Sequence, residues 1–69
     1  MPLTMAKKGE PNSIKRVGGG DKTRQFLENL GFTPGTQITV VTANGGNVIV
    51  SVRESRVAIS REMAMKILV

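Results

Sequence analysis

The chain of 69 residues contains no cysteine, no histidine, no tryptophan and no tyrosine, and it has only two phenylalanines. Without cysteine there is no disulfide framework, which is typical of a small domain that works in the reducing cytosol. The absence of cysteine and histidine together excludes structural zinc and argues against a dedicated transition-metal site. We therefore expect neither a bound metal nor a cofactor.

Carboxylates are also scarce. The chain has five acidic residues and ten lysines and arginines, which gives a formal net charge of +5. The five are Glu10, Asp21, Glu28, Glu54 and Glu62. No two of them are spaced to converge as a general acid and base, and the serines have no base to activate them. The sequence thus predicts no catalytic residue and predicts that the protein is not an enzyme.

Long apolar runs are missing as well, since none approaches the roughly 18–20 residues that span a bilayer. The first ten residues, MPLTMAKKGE, lack the apolar segment of a signal peptide. We expect a cytoplasmic protein of one domain over residues 1–69. Residues 1–9 either dock one turn on the core through Leu3 and Ala6 or form a partly ordered arm.

The excess of positive charge points to an acidic partner: nucleic acid, an anionic membrane face or an acidic protein surface. The basic residues are scattered, and only Lys7–Lys8 and Lys15–Arg16 are adjacent. Both phenylalanines are assigned to a helix stripe and its end, which leaves no aromatic platform for stacked bases. This argues against nucleic acid, although binding through phosphate contacts stays open as an alternative.

The stretch Asp21–Thr36 carries the clearest local signals. Asp21 is a candidate N-cap, and one stripe of a helix over about 21–30 follows, formed by Thr23, Phe26, Leu27 and Leu30. Gly31 stands where a left-handed residue ends a helix, which would bring Phe32 against Leu27. Pro34–Gly35 is typical of a type II turn into a strand.

Alternating β-branched residues predict several short strands. We expect strands over 13–17, 36–43, 47–53 and 56–59, with Asn44–Gly46 and Glu54–Ser55 as turns. Ser60 is a candidate N-cap for a helical turn over about 61–66, and Ile67 and Val69 could close the sheet as a last strand. The result is a mainly β fold: a small, partly open barrel of about five strands, plugged by the first helix.

The order of these motifs resembles a known family. Residues 24–36, RQFLENLGFTPGT, followed by the Val40–Val41 strand, resemble FeoA, the small cytosolic partner of the ferrous iron transporter FeoB. The resemblance continues through Val48–Val52, Val57–Glu62 and the ending Ala64–Val69. It implies an SH3-like β-barrel, in agreement with the architecture expected from the strand pattern.

The resemblance implies a non-enzymatic accessory of ferrous iron uptake that binds the cytosolic GTPase part of a FeoB-like membrane transporter, close to the inner membrane. The residues predicted to contact this partner are Arg24, Leu27, Leu30, Phe32, Arg53 and Arg56. Leu27 and Leu30 also suit the core, so Phe32 is expected to be the most exposed apolar residue of the set. Two alternatives stay open: an SH3-like regulatory domain related to metal-dependent repressors, and a basic barrel that binds nucleic acid.

Overall fold

Two antiparallel sheets form most of the fold in a computed structural model that describes all residues from Met1 to Val69. A turn of 3-10 helix at Leu3–Met5 precedes them. The strands and helices are, in chain order, β1 (Pro11–Ser13), β2 (Arg16–Val17), α1 (Asp21–Asn29), β3 (Gln37–Asn44), β4 (Asn47–Val52), β5 (Ser55–Ser60), α2 (Arg61–Met65) and β6 (Ile67–Leu68).

The larger sheet has the order β1-β3-β4-β5, and the smaller one pairs β2 with β6. The prediction of a mainly β chain is confirmed, with six strands in place of about five and no closed barrel. The expected strand over 13–17 was wrong as a single element, because the chain changes sheets in its middle. The amide of Ile14 donates to Thr36 O at 2.9 Å, whereas the amide of Lys15 donates to Leu68 O at 2.7 Å.

Fourteen residues are buried, and every one of them is apolar. The meander β3–β4–β5 supplies one wall of the core, on which the inward side chains of β4 are Val48, Val50 and Val52. Leu3 reaches this core from the 3-10 turn and is fully buried. Backbone hydrogen bonds of 2.8 Å join Met1 and Val69 in both directions and hold that segment beside β6.

A bulge in β3 changes which of its residues face the core. Val40 lies opposite Val50, but the next paired residue is Thr42, opposite Ile49, so Val41 is the extra residue. Regular alternation in the predicted strand over 36–43 would place Thr42 on the face of Val40, but one inserted residue moves every later side chain to the other face.

Both helices start where expected, and the N-cap agrees with expectation at α2 but lies one residue earlier at α1. The hydroxyl of Ser60 accepts a hydrogen bond from the amide of Met63 at 3.2 Å, which confirms it as the N-cap of α2. Gly20 is the N-cap of α1, so the predicted cap at Asp21 was wrong. Asp21 instead begins the helix and pairs with Arg24 at 2.9 Å, where a carboxylate also suits the helix dipole.

The end of α1 is a Schellman motif, as the sequence predicted. The amide of Phe32 donates to Leu27 O at 3.0 Å and that of Gly31 to Glu28 O at 2.9 Å. Leu27 and Phe32 are both fully buried. The predicted type II turn follows, with Gly35 at φ +89° and the Thr36 amide bonded to Thr33 O at 3.1 Å.

The β4–β5 turn lies one residue earlier than expected. Val52 pairs with Ser55, so the turn residues are Arg53 and Glu54, at φ +50° and +66°. The prediction of a turn at Glu54–Ser55 was therefore wrong in position. Such a two-residue turn favours Asn-Gly, and neither Arg53 nor Glu54 carries that signal.

Replacement of Gly31 by alanine tests the helix end. Gly31 has φ +103°, and a Cβ there would lie 3.2 Å from Cδ of Arg53. We expect Gly31→Ala to lower the free energy of unfolding by about 1–2 kcal/mol, measured by urea denaturation. Gly46→Ala is the matched control, because a Cβ at Gly46 meets nothing within 4 Å. Equal stability of the two variants would contradict this account of the helix end.

Replacement of Glu54 by glycine tests the strained turn. Because glycine adopts positive φ without steric cost, we expect Glu54→Gly to raise the free energy of unfolding by about 0.5–1 kcal/mol. Ser55→Gly, placed in β5 one residue later, should instead lower it by about 0.5–1 kcal/mol. Thermal and urea denaturation of the two variants measure whether each substitution raises or lowers the free energy of unfolding. A destabilised Glu54→Gly protein would contradict the prediction.

Candidate functional site

The six residues predicted to bind a partner lie in different environments. Leu27 and Phe32 are fully buried, whereas the other four are exposed: Arg24, Leu30, Arg53 and Arg56. The expectation that Phe32 would be the most exposed apolar residue was wrong. The Schellman motif turns its side chain under the helix and into the core, where it contacts the same interior as Leu27.

Phe26 is the exposed aromatic residue that the sequence reasoning placed on the buried stripe. Half of its surface is accessible, and Leu30, four residues later, is 37% exposed. Only Leu27 of α1 is buried, because the helix is short and packs on a small core by its C-terminal end. The apolar stripe of α1 is thus wider than the surface that covers it, and the uncovered part is Phe26 and Leu30.

Lys22, Phe26 and Leu30 follow one another at four-residue spacing and therefore lie along one side of α1. Lys22 is exposed in the first turn, so the row begins with a cation. Viewed down the helix axis, the buried Leu27 lies between Phe26 on one side and Arg24 on the other. Sequence reasoning missed Lys22 and Phe26, although their spacing from Leu30 was the signal that could have identified them.

A second cation stands at the other end of this row. The side chain of Arg53 passes close to Gly31, and its Nη2 donates to Thr33 Oγ1 at 3.4 Å. The carbonyl end of α1 favours a positive charge at this place. Lys22, Phe26, Leu30 and Arg53 form what we name the α1 row: two exposed apolar side chains with a cation at each end.

Arg24 and Arg56 lie outside the α1 row. Arg24 faces a shallow groove shared with Arg16 and Glu28, beside the glycine run that precedes α1. Arg56 is on the edge strand β5, opposite Ser51 of β4. Of the four exposed predicted residues, only Leu30 and Arg53 belong to the α1 row, whereas Leu27 and Phe32 meet in the core.

The rest of the molecule offers few groups for chemistry. No polar or charged side chain is buried, and no three acidic side chains gather where they would hold a metal ion. None of the helices has the length and apolar character that a bilayer crossing needs.

This chain is similar to a family of known proteins in both sequence and structure. The FeoA domain model matches residues 1–69. A Methanocaldococcus jannaschii protein named "Putative Fe(2+) transport protein A" is 38% identical over 68 residues, which cover 99% of this chain and 83% of the relative. A crystal structure of an iron uptake regulatory protein, FeoA, superposes with a TM-score of 0.88 at 31% identity, covering 97% of this chain and 91% of the other.

The same fold occurs inside a larger protein. A manganese-dependent transcriptional repressor matches with a TM-score of 0.87 at 14% identity, covering 97% of this chain and 39% of the repressor chain. At that identity the likeness concerns the fold alone. The expected SH3-like β fold is confirmed by the FeoA structures. By family model, sequence identity and fold, the chain belongs to the FeoA family.

Proposed function

We propose that this protein is a non-enzymatic, cytoplasmic accessory of ferrous iron uptake that binds the cytosolic GTPase part of a FeoB-like membrane transporter. Family membership and relatives named for Fe(2+) transport and iron uptake support this role. A chain with neither cysteine nor histidine has few means to act other than by contact with another macromolecule.

The observation that carries the proposal is the α1 row. Phe26 and Leu30 are exposed side by side on α1, and the other large apolar side chains that are exposed are three methionines, Met1, Met5 and Met65. Apolar side chains exposed together and bordered by charges are typical of a protein-binding surface, and an aromatic residue is a common energetic centre of one. Phe26 is therefore the proposed anchor, with Leu30 beside it.

The cations of the α1 row define the partner's chemistry. Lys22 and Arg53 have no carboxylate partner, because the one ion pair of the molecule joins Asp21 and Arg24. An apolar recess bordered by acidic side chains would complement the α1 row. The net charge of +5 would also steer the domain towards the anionic inner face of the membrane, where the cytosolic part of a transporter lies.

The other predicted residues keep distinct roles in this proposal. Leu27 and Phe32 are buried and hold the end of α1 in place, so they support the α1 row without touching a partner. Arg24 and Arg56 add to long-range attraction. Their effect should fall with added salt, because exposed charges beyond about 10 Å are screened at 0.1 M ionic strength.

The repressor match supports a second candidate, an SH3-like regulatory domain. In that role the α1 row would dock on another domain instead of a transporter. Nucleic-acid binding has less support, because Phe26 is the one exposed aromatic residue and a single ring offers little stacking surface.

Phe26→Ala tests the anchor. We expect about tenfold weaker binding to the purified cytosolic GTPase domain of the transporter, since burial of the exposed half of a phenylalanine contributes about 1–1.5 kcal/mol. Because the side chain is half exposed, the free energy of unfolding should change by less than about 1 kcal/mol. Isothermal titration calorimetry with and without guanine nucleotide measures the binding. Gln25→Ala, an exposed neighbour on α1, is the matched control.

The charges are tested by reversal in pairs. Lys22→Glu with Arg53→Glu should weaken binding at low salt more than Arg24→Glu with Arg56→Glu, because only the first pair borders Phe26 and Leu30. A larger loss of affinity from Arg24→Glu with Arg56→Glu would indicate that the partner binds outside the α1 row. The absence of any binding by the wild-type protein would reject the transporter partner, and steeply salt-dependent binding to DNA would favour the nucleic-acid alternative.

A further inference from the structure

A second concave surface lies between the N-terminal segment and the turn that joins β3 to β4. It is a groove of about 240 Å³. Its apolar lining residues are Leu3, Ala6, Val40, Ala43 and Val48. None of these belongs to the α1 row, so the groove is a separate feature of the molecule.

The groove exists because the chain leaves the edge of β3 early. β1 pairs with β3 only at Gln37–Thr39, and the last backbone contact on that side is the Gly9 amide, which donates to Val40 O at 2.9 Å. Gly9 has φ +80°, and the chain before it turns towards the 3-10 helix, which packs on α2. β3 continues to Asn44 with β4 on one side and no strand on the other.

Val41–Asn44 is thus an open strand edge beside an apolar floor. No backbone hydrogen bond reaches these residues from the N-terminal segment. Val41 is the bulge residue, so the regular part of this edge is Thr42–Asn44, which extends about 10 Å and is enough to pair with a short extended peptide. Open strand edges are recurrent sites of peptide addition, in which backbone hydrogen bonds give affinity and alternate side chains enter the groove.

The charges at the rim of the groove indicate which kind of peptide it would bind. Lys8 and Arg61 line the groove together with the amides of Asn44 and Asn47, and no acidic residue does. Neither cation has a carboxylate partner in the protein. Arg61 is held in place, because its backbone amide donates to Gly46 O at 3.0 Å and it begins α2.

We propose that this groove binds an extended acidic peptide segment that adds to the free edge of β3. One apolar side chain of the peptide enters the floor at Val40 and Val48, and carboxylates on either side of it meet Lys8 and Arg61. The site favours a peptide over an oligonucleotide because its floor is aliphatic and offers a strand edge, with no ring on which a base stacks.

The probe is the hexapeptide fluoresceinyl-Thr-Asp-Thr-Leu-Thr-Glu-amide, whose Asp, Leu and Glu side chains lie on one face of an extended strand. Its binding is measured by fluorescence polarisation at low salt and by amide chemical shifts. Saturable binding with shifts at Val41–Asn44, Lys8 and Arg61 supports the proposal. A peptide with glutamine and asparagine in place of its acids should bind at least about tenfold more weakly. Two further peptides are N-methylated, one at the odd-numbered and one at the even-numbered amides. Only one of these sets of amides faces the strand edge, so we expect one of the two peptides to lose binding.

Variants of the protein locate the site. Lys8→Glu with Arg61→Glu should weaken peptide binding about tenfold or more, whereas Lys15→Glu with Arg56→Glu, which changes the net charge equally outside the groove, should have less effect. Ala43→Trp fills the groove at an exposed strand position without a change of charge and should also reduce binding. Amide spectra verify that each variant is folded.

Four results would overturn the proposal: no saturable binding, equal losses from the two charge-reversed pairs, unchanged binding by both N-methylated peptides, or equal displacement of the probe by a six-nucleotide oligothymidylate. The last of these would identify a general anion surface. Because Phe26→Ala leaves the groove intact, it should not alter peptide binding, so this test and that of the transporter partner succeed or fail separately.

Discussion

The joint burial of Leu27 and Phe32 at the end of α1 is the contact on which the rest of the structure depends. The two side chains enter the core because the Gly31 turn reverses the backbone between them, and the Thr33–Thr36 turn then directs the chain into β3. Since Leu27 is the only buried residue of α1, the helix is attached at its C-terminal end. The remaining faces of α1 are therefore free to meet another molecule, and this is the origin of the α1 row.

The α1 row and the groove beside β3 both follow from the small size of the domain. Sixty-nine residues bury too little surface to cover every apolar stripe and every strand edge, and the core contains only fourteen side chains. Phe26 is left outside because nothing lies over that side of α1. Val41–Asn44 has β4 on one side and no strand on the other, because the chain turns away at Gly9. In both places basic side chains lie beside apolar ones, which is the basis on which an acidic partner is proposed for each surface.

Two features relate this architecture to function in the FeoA family. Cationic side chains border each surface, and the only ion pair, Asp21–Arg24, neutralises neither of them. In the proposed complexes, apolar contact would supply affinity, whereas charge would supply orientation and the rate of encounter. The α1 row and the groove share no residue, so the domain has room to hold a partner at one surface and an extended segment at the other.

The amino-acid sequence by itself determined the features whose hydrogen bonds close within a few residues. The Gly31 helix end, the Pro34–Gly35 turn and the Ser60 cap belong to this class. The alternation along Val48–Val52 also follows from the sequence, because successive side chains of a strand point to opposite faces. The tertiary structure decided the rest: the change of sheet at Ile14, the position of the Arg53–Glu54 turn and the exposure of Phe26. The reason is that strand partners and burial depend on what lies opposite a residue in space, and local spacing carries no information about the width of the surface that will cover it.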